Sequence, residues 1–321
     1  MSQNGALKYQ LGTAVVSGRE RIILACQEQF FDLHDLFMYG KANSALTIEG
    51  RDLPVSLFEL VQDWSYWNEK LAHVVYTLLT RRSEGVFSLS LPKEDLHWLA
   101  PLLYPRKLIC IGTNYLDHIA EMEVTQRPRY PYSFLKPPTT TLIGSDAALQ
   151  LPEEAKKVDW EAELAVVIGQ KARHVRKEDA LAYVAGYSIL NDVSARDWLA
   201  EPSSLGIDWI MQKAFDGFAP MGPLITPATF IPDPQRLSIT LTVNGQVKQH
   251  STTANMVFSV REIIKHLSSI MTLEPGDVIA TGTPAGVGHG KKPPEYLQAG
   301  AMMIVEIENL GQLKTPLVRA P

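Results

Sequence analysis

The chain has 321 residues, a net charge of -5 from 30 Lys plus Arg against 35 Asp plus Glu, and two cysteines, Cys26 and Cys110. A length about twice that of a typical domain predicts one large catalytic domain with a smaller appendage. The acidic balance without a basic cluster excludes general nucleic-acid binding, and the absence of a run of roughly 18 apolar residues argues against a membrane helix. The opening MSQNGALKYQLG shows neither the basic region nor the apolar core of a secretory signal, so a reduced, cytoplasmic protein is expected.

In chain order, LKYQLGTAVV and RIILACQ around a Ser-Gly turn predict a β-hairpin, and LFELVQDWSYWNEKLAHVVYTLLTRR carries apolar residues at helical spacing. Together they form a small α+β unit over 1–104, closed by the Pro-containing APLLYPRK. From 105 to 321 the character changes to short β-rich runs (LICIG, LAVVIG, AGYSIL, LSITLTVNG, DVIATG, AMMIVEIENLG), with helices expected at SARDWLA and SVREIIKHLSSIM. Without regular βαβ alternation, this predicts an α+β fold built on a mixed β-sheet roll or barrel rather than a Rossmann domain.

The sharpest chemical signal is VDWEAEL. Read as a strand, its period of two places Asp159, Glu161 and Glu163 on one face and Trp160, Ala162 and Leu164 on the other. Stacked carboxylates repel unless a cation sits between them or solvent washes the face, and spacing alone leaves both readings open. Asp192 lies where the strand AGYSIL is expected to give way to a helix, as a third carboxylate or as a cap, with Ser194 and Asp197 at capping-box spacing. Three oxygen donors without Cys or His suit Mg²⁺ or Mn²⁺ better than Zn²⁺, with Ca²⁺ as a further option. Removing Asp192 is then expected to relieve repulsion in the metal-free protein.

His118 and Glu121 stand three apart, the spacing at which a carboxylate on a helical turn steadies an imidazole as general base, although surface pairs share that pattern. Lys213, in QKAFDGFAPMGP, is either a site lysine or a snorkelling surface one. The segment TGTPAGVG follows a strand, and its glycines would let backbone N–H groups and the Thr283 hydroxyl approach a carboxylate; it lacks the ending of a phosphate loop.

These segments, with FLKPPTTTLIG and LEPGDVIATGTPAGVG, resemble the fumarylacetoacetate hydrolase family from about Lys107 to about Leu317. The resemblance implies that family's β-roll catalytic fold, a homodimer, and Mg²⁺ or Mn²⁺ bound by Glu161, Glu163 and Asp192. It also implies His118 and Glu121 as a water-activating dyad, and Lys213, Lys136, Arg196 and Thr283 as groups holding the oxygens of a small 2-oxo acid. One departure is Leu199, where the family often has a substrate-contacting Gln.

The chemistry implied is hydrolysis of a C–C bond in a 2,4-dioxo acid, an acylpyruvate, to pyruvate and a carboxylic acid, in aromatic or sugar-acid catabolism. Decarboxylation of oxaloacetate or an oxo-tricarboxylate and isomerisation of a 2-hydroxydienedioate need the same enolate. A catalytically silent ligand-binding protein is the reading of a different class. The polar, Pro-containing stretch EMEVTQRPRYPYS is expected to act as a lid.

Overall fold

The computed structural model describes residues 7–48, 50–80, 85–122, 127–199 and 206–320. The expected hairpin forms from Tyr9–Val16 and Arg19–Cys26, joined by Ser17 and Gly18, both with positive φ as a type I′ turn requires. The long helical pattern that follows is divided. Leu57–Gln62 ends at Asp63, whose non-helical backbone separates it from a second helix, Trp64–Val74, and a π-helical stretch continues over Val75–Thr80.

The N-terminal strands are continuous with the rest of the protein. Tyr9–Val16 pairs antiparallel with Leu224–Pro227, so one mixed eleven-stranded sheet runs from the N-terminal region through Val184–Asn191, Ala162–Ile168, Val278–Ala280 and Leu108–Gly112 to an edge at Tyr132–Lys136. A second, five-stranded sheet contains Leu149–Leu151, Ser238–Val243, Gln246–Thr252, Met302–Ile307 and Gly311–Arg319. Both sheets are open. The architecture is α+β with a large mixed sheet, and of the roll and barrel alternatives no closed barrel forms among the described residues.

Strand Ala162–Ile168 explains why LAVVIG reads as an unbroken apolar run. Leu164, Val166 and Ile168 enter the core beneath the five-stranded sheet, whereas Ala165 and Val167 enter the one shared with Leu11, Leu24, Phe37 and Trp67 of the N-terminal region. A strand covered on both faces has no solvent side to mark with polar residues. Helix Val260–Ile270 buries Val260, Ile263, Ile264 and Leu267 on one face and begins with a complete capping box between Ser259 and Glu262. No helix among the described residues is long and apolar enough to cross a membrane.

The helix expected at SARDWLA does not form over its described residues, 194–199. Ser194–Ala195 is a short strand paired with Val158–Asp159, and Asp197–Leu199 is a single 3-10 turn. The Asp197 carboxylate accepts from the N–H groups of Lys156 and Lys157, so pairing with a distant segment replaces the local helix that the capping spacing suggested.

Candidate metal centre

The carboxylates converge where two paired strands end. Ala162 is opposite Asn191 and Glu163 opposite Leu190, so Glu161 and Asp192, the residues just beyond the last pair, leave the sheet at the same level, with Glu163 two residues further along the strand. The segment before Ala162 departs from the expected continuous strand: Val158–Asp159 pairs elsewhere, and Trp160 and Glu161 form a break. Asn191 Oδ1 accepts the Glu161 N–H at 2.9 Å, and the Asp192 N–H donates to the Glu161 carbonyl at 2.9 Å. These bonds hold the break so that Glu161, Glu163 and Asp192, all buried, present one carboxylate oxygen each within 4.8 Å of one another.

Asp159, expected on the same face, is turned away. Its carboxylate accepts from the N–H groups of Gly288 (2.7 Å) and His289 (3.0 Å) and from Arg196 Nε at 3.1 Å. It braces the loop and Arg196 instead of joining the triad.

Three cations face the acids. Arg196 donates to Glu161 Oε1 at 2.5 Å, and Lys213 Nζ bridges Glu161 Oε2 at 2.8 Å and Asp192 Oδ2 at 2.7 Å. Lys136 Nζ lies 2.6 Å from Asp192 Oδ1, 3.1 Å from the Val193 carbonyl and 2.6 Å from the Phe218 carbonyl. An ammonium has three N–H bonds, so Lys136, and likewise Lys213 with the Asp192 carbonyl at 3.3 Å as its third acceptor, is committed to these groups in this structure and has no proton left for a substrate oxygen. Ser194, considered as a cap, instead has its Oγ 3.1 Å from Glu161 Oε1.

The electrostatics follow from this arrangement. Burial alone would raise the Glu161 carboxyl, but Lys213 and Arg196 outweigh it and bring it down to about 2. Burial raises Glu163 well above the ordinary carboxylate range, and Asp192 and Glu161 push it further. Burial disfavours the charged Lys213, yet Asp192 and Glu161 more than compensate and raise it. Asp159, Glu161 and Asp192 balance Lys136, Lys213 and Arg196, and the remaining carboxyl, Glu163, is the one that favours its proton. A hard divalent cation fits this donor set: three converging oxygens, with a surplus acid whose proton the cation would replace.

His118 and Glu121 lie on the short helix Leu116–Glu121, with Nδ1 3.2 Å from Oε2. Glu121 Oε1 accepts from the Gly286 N–H at 2.9 Å, which anchors the pair to the glycine loop. The helix is tied down by Asp117, which accepts from Ser251 Oγ at 2.5 Å. Two glycines make the dyad's wall. Gly286 has φ of +100°, and a Cβ there would stand 2.1 Å from the Lys248 carbonyl; a Cβ at Gly290 would stand 2.6 Å from Glu121 Cδ.

Thr283 is buried in the same loop, and its hydroxyl oxygen accepts from Gln249 Nε2 at 2.8 Å. The structure thus gathers Glu161, Glu163, Asp192, Lys136, Lys213 and Arg196 into one cluster, with the His118–Glu121 pair and Thr283 on elements that border it. Gln249 and Asn191 were missed because each acts through a contact remote in sequence, and neither stands in a pattern that marks it. Residues 123–126 of the expected lid and the Leu199 side chain lie outside what is described. The surface clefts of about 510 Å³ beside Arg21 and Arg51 and about 550 Å³ beside Tyr9 and Phe230 share no residue with the cluster.

Comparison with known proteins gives the same neighbourhood. Residues 107–318 match the family model described as fumarylacetoacetate (FAA) hydrolase C-terminal. A Xenopus laevis protein named oxaloacetate tautomerase fahd2, mitochondrial, is 43% identical over 228 residues, covering 71% of this chain and 70% of that protein. Among solved structures, a fumarylacetoacetate hydrolase from Exiguobacterium antarcticum superposes with a TM-score of 0.76 at 32% identity, covering 97% of this chain and 100% of the other. The maleylpyruvate hydrolase from Sphingobium sp. SYK-6, in complex with manganese(II) and pyruvate, gives 0.74 at 26% identity, with 97% and 100% covered.

Proposed function

The chain belongs to the fumarylacetoacetate hydrolase family, and from that membership we propose that it is a divalent-cation-dependent enzyme that moves a proton at C3 of a small 2-oxo acid, interconverting keto and enol forms. Oxaloacetate is the first substrate to test, because 43% identity over 228 residues joins this chain to a protein named as its tautomerase. The observation that carries the reading is the His118–Glu121 pair, 3.2 Å apart and anchored to the glycine loop beside a buried triad of carboxylates.

Mg²⁺ or Mn²⁺ held by Glu161, Glu163 and Asp192 would supply Lewis-acid polarisation of the substrate's carboxylate and 2-oxo oxygens. The chain's own groups do the rest. Arg196 and the Thr283 hydroxyl hold the substrate carboxylate, which fixes C3 relative to the base. Glu121 holds His118 through Nδ1, leaving Nε2 as the ring nitrogen that takes the C3 proton and returns it to the 2-oxo oxygen. Glu121 also stabilises the imidazolium between those transfers, and Lys213 contributes positive charge where the enolate oxygen develops. One proton leaves carbon and one reaches oxygen, so substrate and product are isomers.

Hydrolysis of a 2,4-dioxo acid is the second reading, favoured by the same dyad and by the likeness to structures of hydrolases in this family. There His118 would take a proton from water as the water oxygen bonds to C4. The C3–C4 bond would break with its electron pair passing to the pyruvate enolate, and reprotonation at C3 would give pyruvate and a carboxylic acid.

A turnover panel separates these outcomes: decay of the enol absorbance of oxaloacetate, CO₂ release from oxaloacetate, and pyruvate release from acylpyruvates, each with Mg²⁺ or Mn²⁺ against chelated enzyme. Acceleration of enol decay without CO₂ supports tautomerisation. CO₂ release moves the reading to decarboxylation, and acylpyruvate cleavage alone moves it to hydrolysis. Silence on every substrate from cation-loaded enzyme refutes the 2-oxo acid reading.

A further inference from the structure

Gln249 is 1% exposed on strand Gln246–Thr252, a strand of the second sheet. Its pairing with Ser238–Val243 slips immediately before it: Leu241 faces Gln249 but Thr242 faces Val247, leaving Lys248 as the extra residue. Such a bulge re-aims the next side chain, and here it accompanies an amide directed into the candidate site. Gln249 Oε1 accepts the N–H of Ala162, the residue between Glu161 and Glu163, at 2.9 Å. Its Nε2 lies 2.8 Å from Thr283 Oγ1 and 2.8 Å from the Pro284 carbonyl.

The orientation of this amide is unambiguous. A backbone N–H can only donate and a backbone carbonyl can only accept, so Oε1 must face Ala162 and Nε2 must face Pro284. Nε2 therefore donates to Thr283 as well, and the Thr283 oxygen is an acceptor in that bond. Its own hydrogen must point elsewhere, and among the described residues no group accepts it.

We propose that Gln249 is a positioning residue that fixes the Thr283 hydroxyl as an outward donor, matched to an anionic carboxylate oxygen of the substrate and mismatched to a hydrogen-bond donor. This rests on the reading that Thr283 holds the substrate carboxylate. Gln249 acts at one remove: it need not touch the ligand, and its side chain sets the direction of the hydroxyl.

The test is a double-mutant cycle on oxalate binding to the full chain loaded with Mg²⁺, followed by calorimetry, with Mg²⁺ affinity measured separately without oxalate. Oxalate carries the chelating head of a 2-oxo acid and undergoes no turnover. The expected result is about a tenfold weaker oxalate Kd for Thr283→Val, as for loss of a hydrogen bond to a charged group, with Thr283→Ser near the parent. Gln249→Met, which keeps the side-chain length but has no donor, loses a similar factor alone and none in the Thr283→Val background, while its Mg²⁺ affinity is unchanged. If Gln249→Met does not fold, Gln249→Glu at a pH where that carboxyl is ionised serves in the same cycle. An undiminished Gln249 penalty in the Thr283→Val background, an unaltered oxalate Kd in the Gln249 variant, or a parallel loss of Mg²⁺ affinity overturns the proposal. An unaltered oxalate Kd in Thr283→Val instead removes the underlying assignment of Thr283.

Discussion

Replacing Asp192 tests the charge balance of the site most directly. Like-charge relief would make Asp192→Ala more stable in the metal-free protein, but the structure predicts the reverse. The Asp192 carboxylate lies 2.6 Å from Lys136 Nζ and 2.7 Å from Lys213 Nζ, and all three side chains are no more than 4% exposed. Its nearest like-charged neighbours contribute little repulsion, because Glu163 favours its proton and Glu161 is already compensated by Lys213 and Arg196. Removing Asp192 leaves two buried ammonium groups with one carboxylate fewer, and breaking a buried pair in this way costs about 3–5 kcal/mol. Glu163→Gln is the control. It keeps an acceptor for the Gly282 N–H, now at 2.7 Å, and should cost no more than about 1 kcal/mol in chelator while abolishing stabilisation by Mg²⁺. Urea unfolding of the three proteins in chelator and in excess Mg²⁺ measures both effects. An Asp192→Ala protein within about 1 kcal/mol of the parent in chelator would refute the charge count, as would equal losses in both variants.

Three further outcomes follow from the geometry. His118→Ala should lower turnover by about 10²–10⁴-fold with Mg²⁺ affinity retained, and retained turnover would remove it as the base. Gly290→Ala places a methyl 2.6 Å from Glu121 Cδ, so the carboxylate must shift and turnover should fall by about 10²-fold, with Mg²⁺ affinity intact; an unchanged rate would detach Glu121 from the chemistry. Glu262 tests a pH dependence away from the site. Burial alone would raise its carboxyl, but hydrogen bonds from Lys177 and Ser259 bring it down from 4.5 to about 2. Its contribution is therefore fully present above pH 4.5 and is lost as pH falls toward 2. Glu262→Ala should cost about 1 kcal/mol at pH 7, since the pair with Lys177 is partly exposed and the capping box supplies much of the effect. That penalty should shrink in acid, and a pH-independent penalty would assign it to packing.

Much of the site was legible because its chemistry sits in short patterns. The i,i+3 spacing of His118 and Glu121 is a true helical turn, and the glycine loop does approach carboxylates. What periodicity misjudged was Asp159. Alternation assumes an unbroken strand, but Trp160 leaves the ladder to bury its ring and donate from Nε1 to the Gly286 carbonyl at 3.0 Å. The same pairing of Val158–Asp159 with Ser194–Ala195 overrode the helix that Ser194 and Asp197 suggested. Lys136 shows a different limit: the motif identified it as a site residue, but only the count of acceptors around its ammonium shows that it supports Asp192.

The loop Thr281–Gly290 explains why these pieces belong to one device. Its N–H groups hold a triad carboxylate through Gly282, the dyad carboxylate through Gly286, and, through Gly288 and His289, the Asp159 that braces Arg196. Three acids on different elements are thereby referenced to one stretch of backbone, which Gln249 joins to the entry of strand Ala162–Ile168. A cation that displaces the Glu163 proton changes the carboxylate bound by Gly282, four residues from the N–H that holds Glu121. Glycine is needed at Gly286 because any side chain would meet the Lys248 carbonyl, so the loop can keep both contacts only with its present close packing. On the proposed function, the groups for cation binding and for base positioning are referenced to the same backbone, so a substitution that moves the loop should disturb both, whereas one confined to the His118 ring should leave the triad untouched.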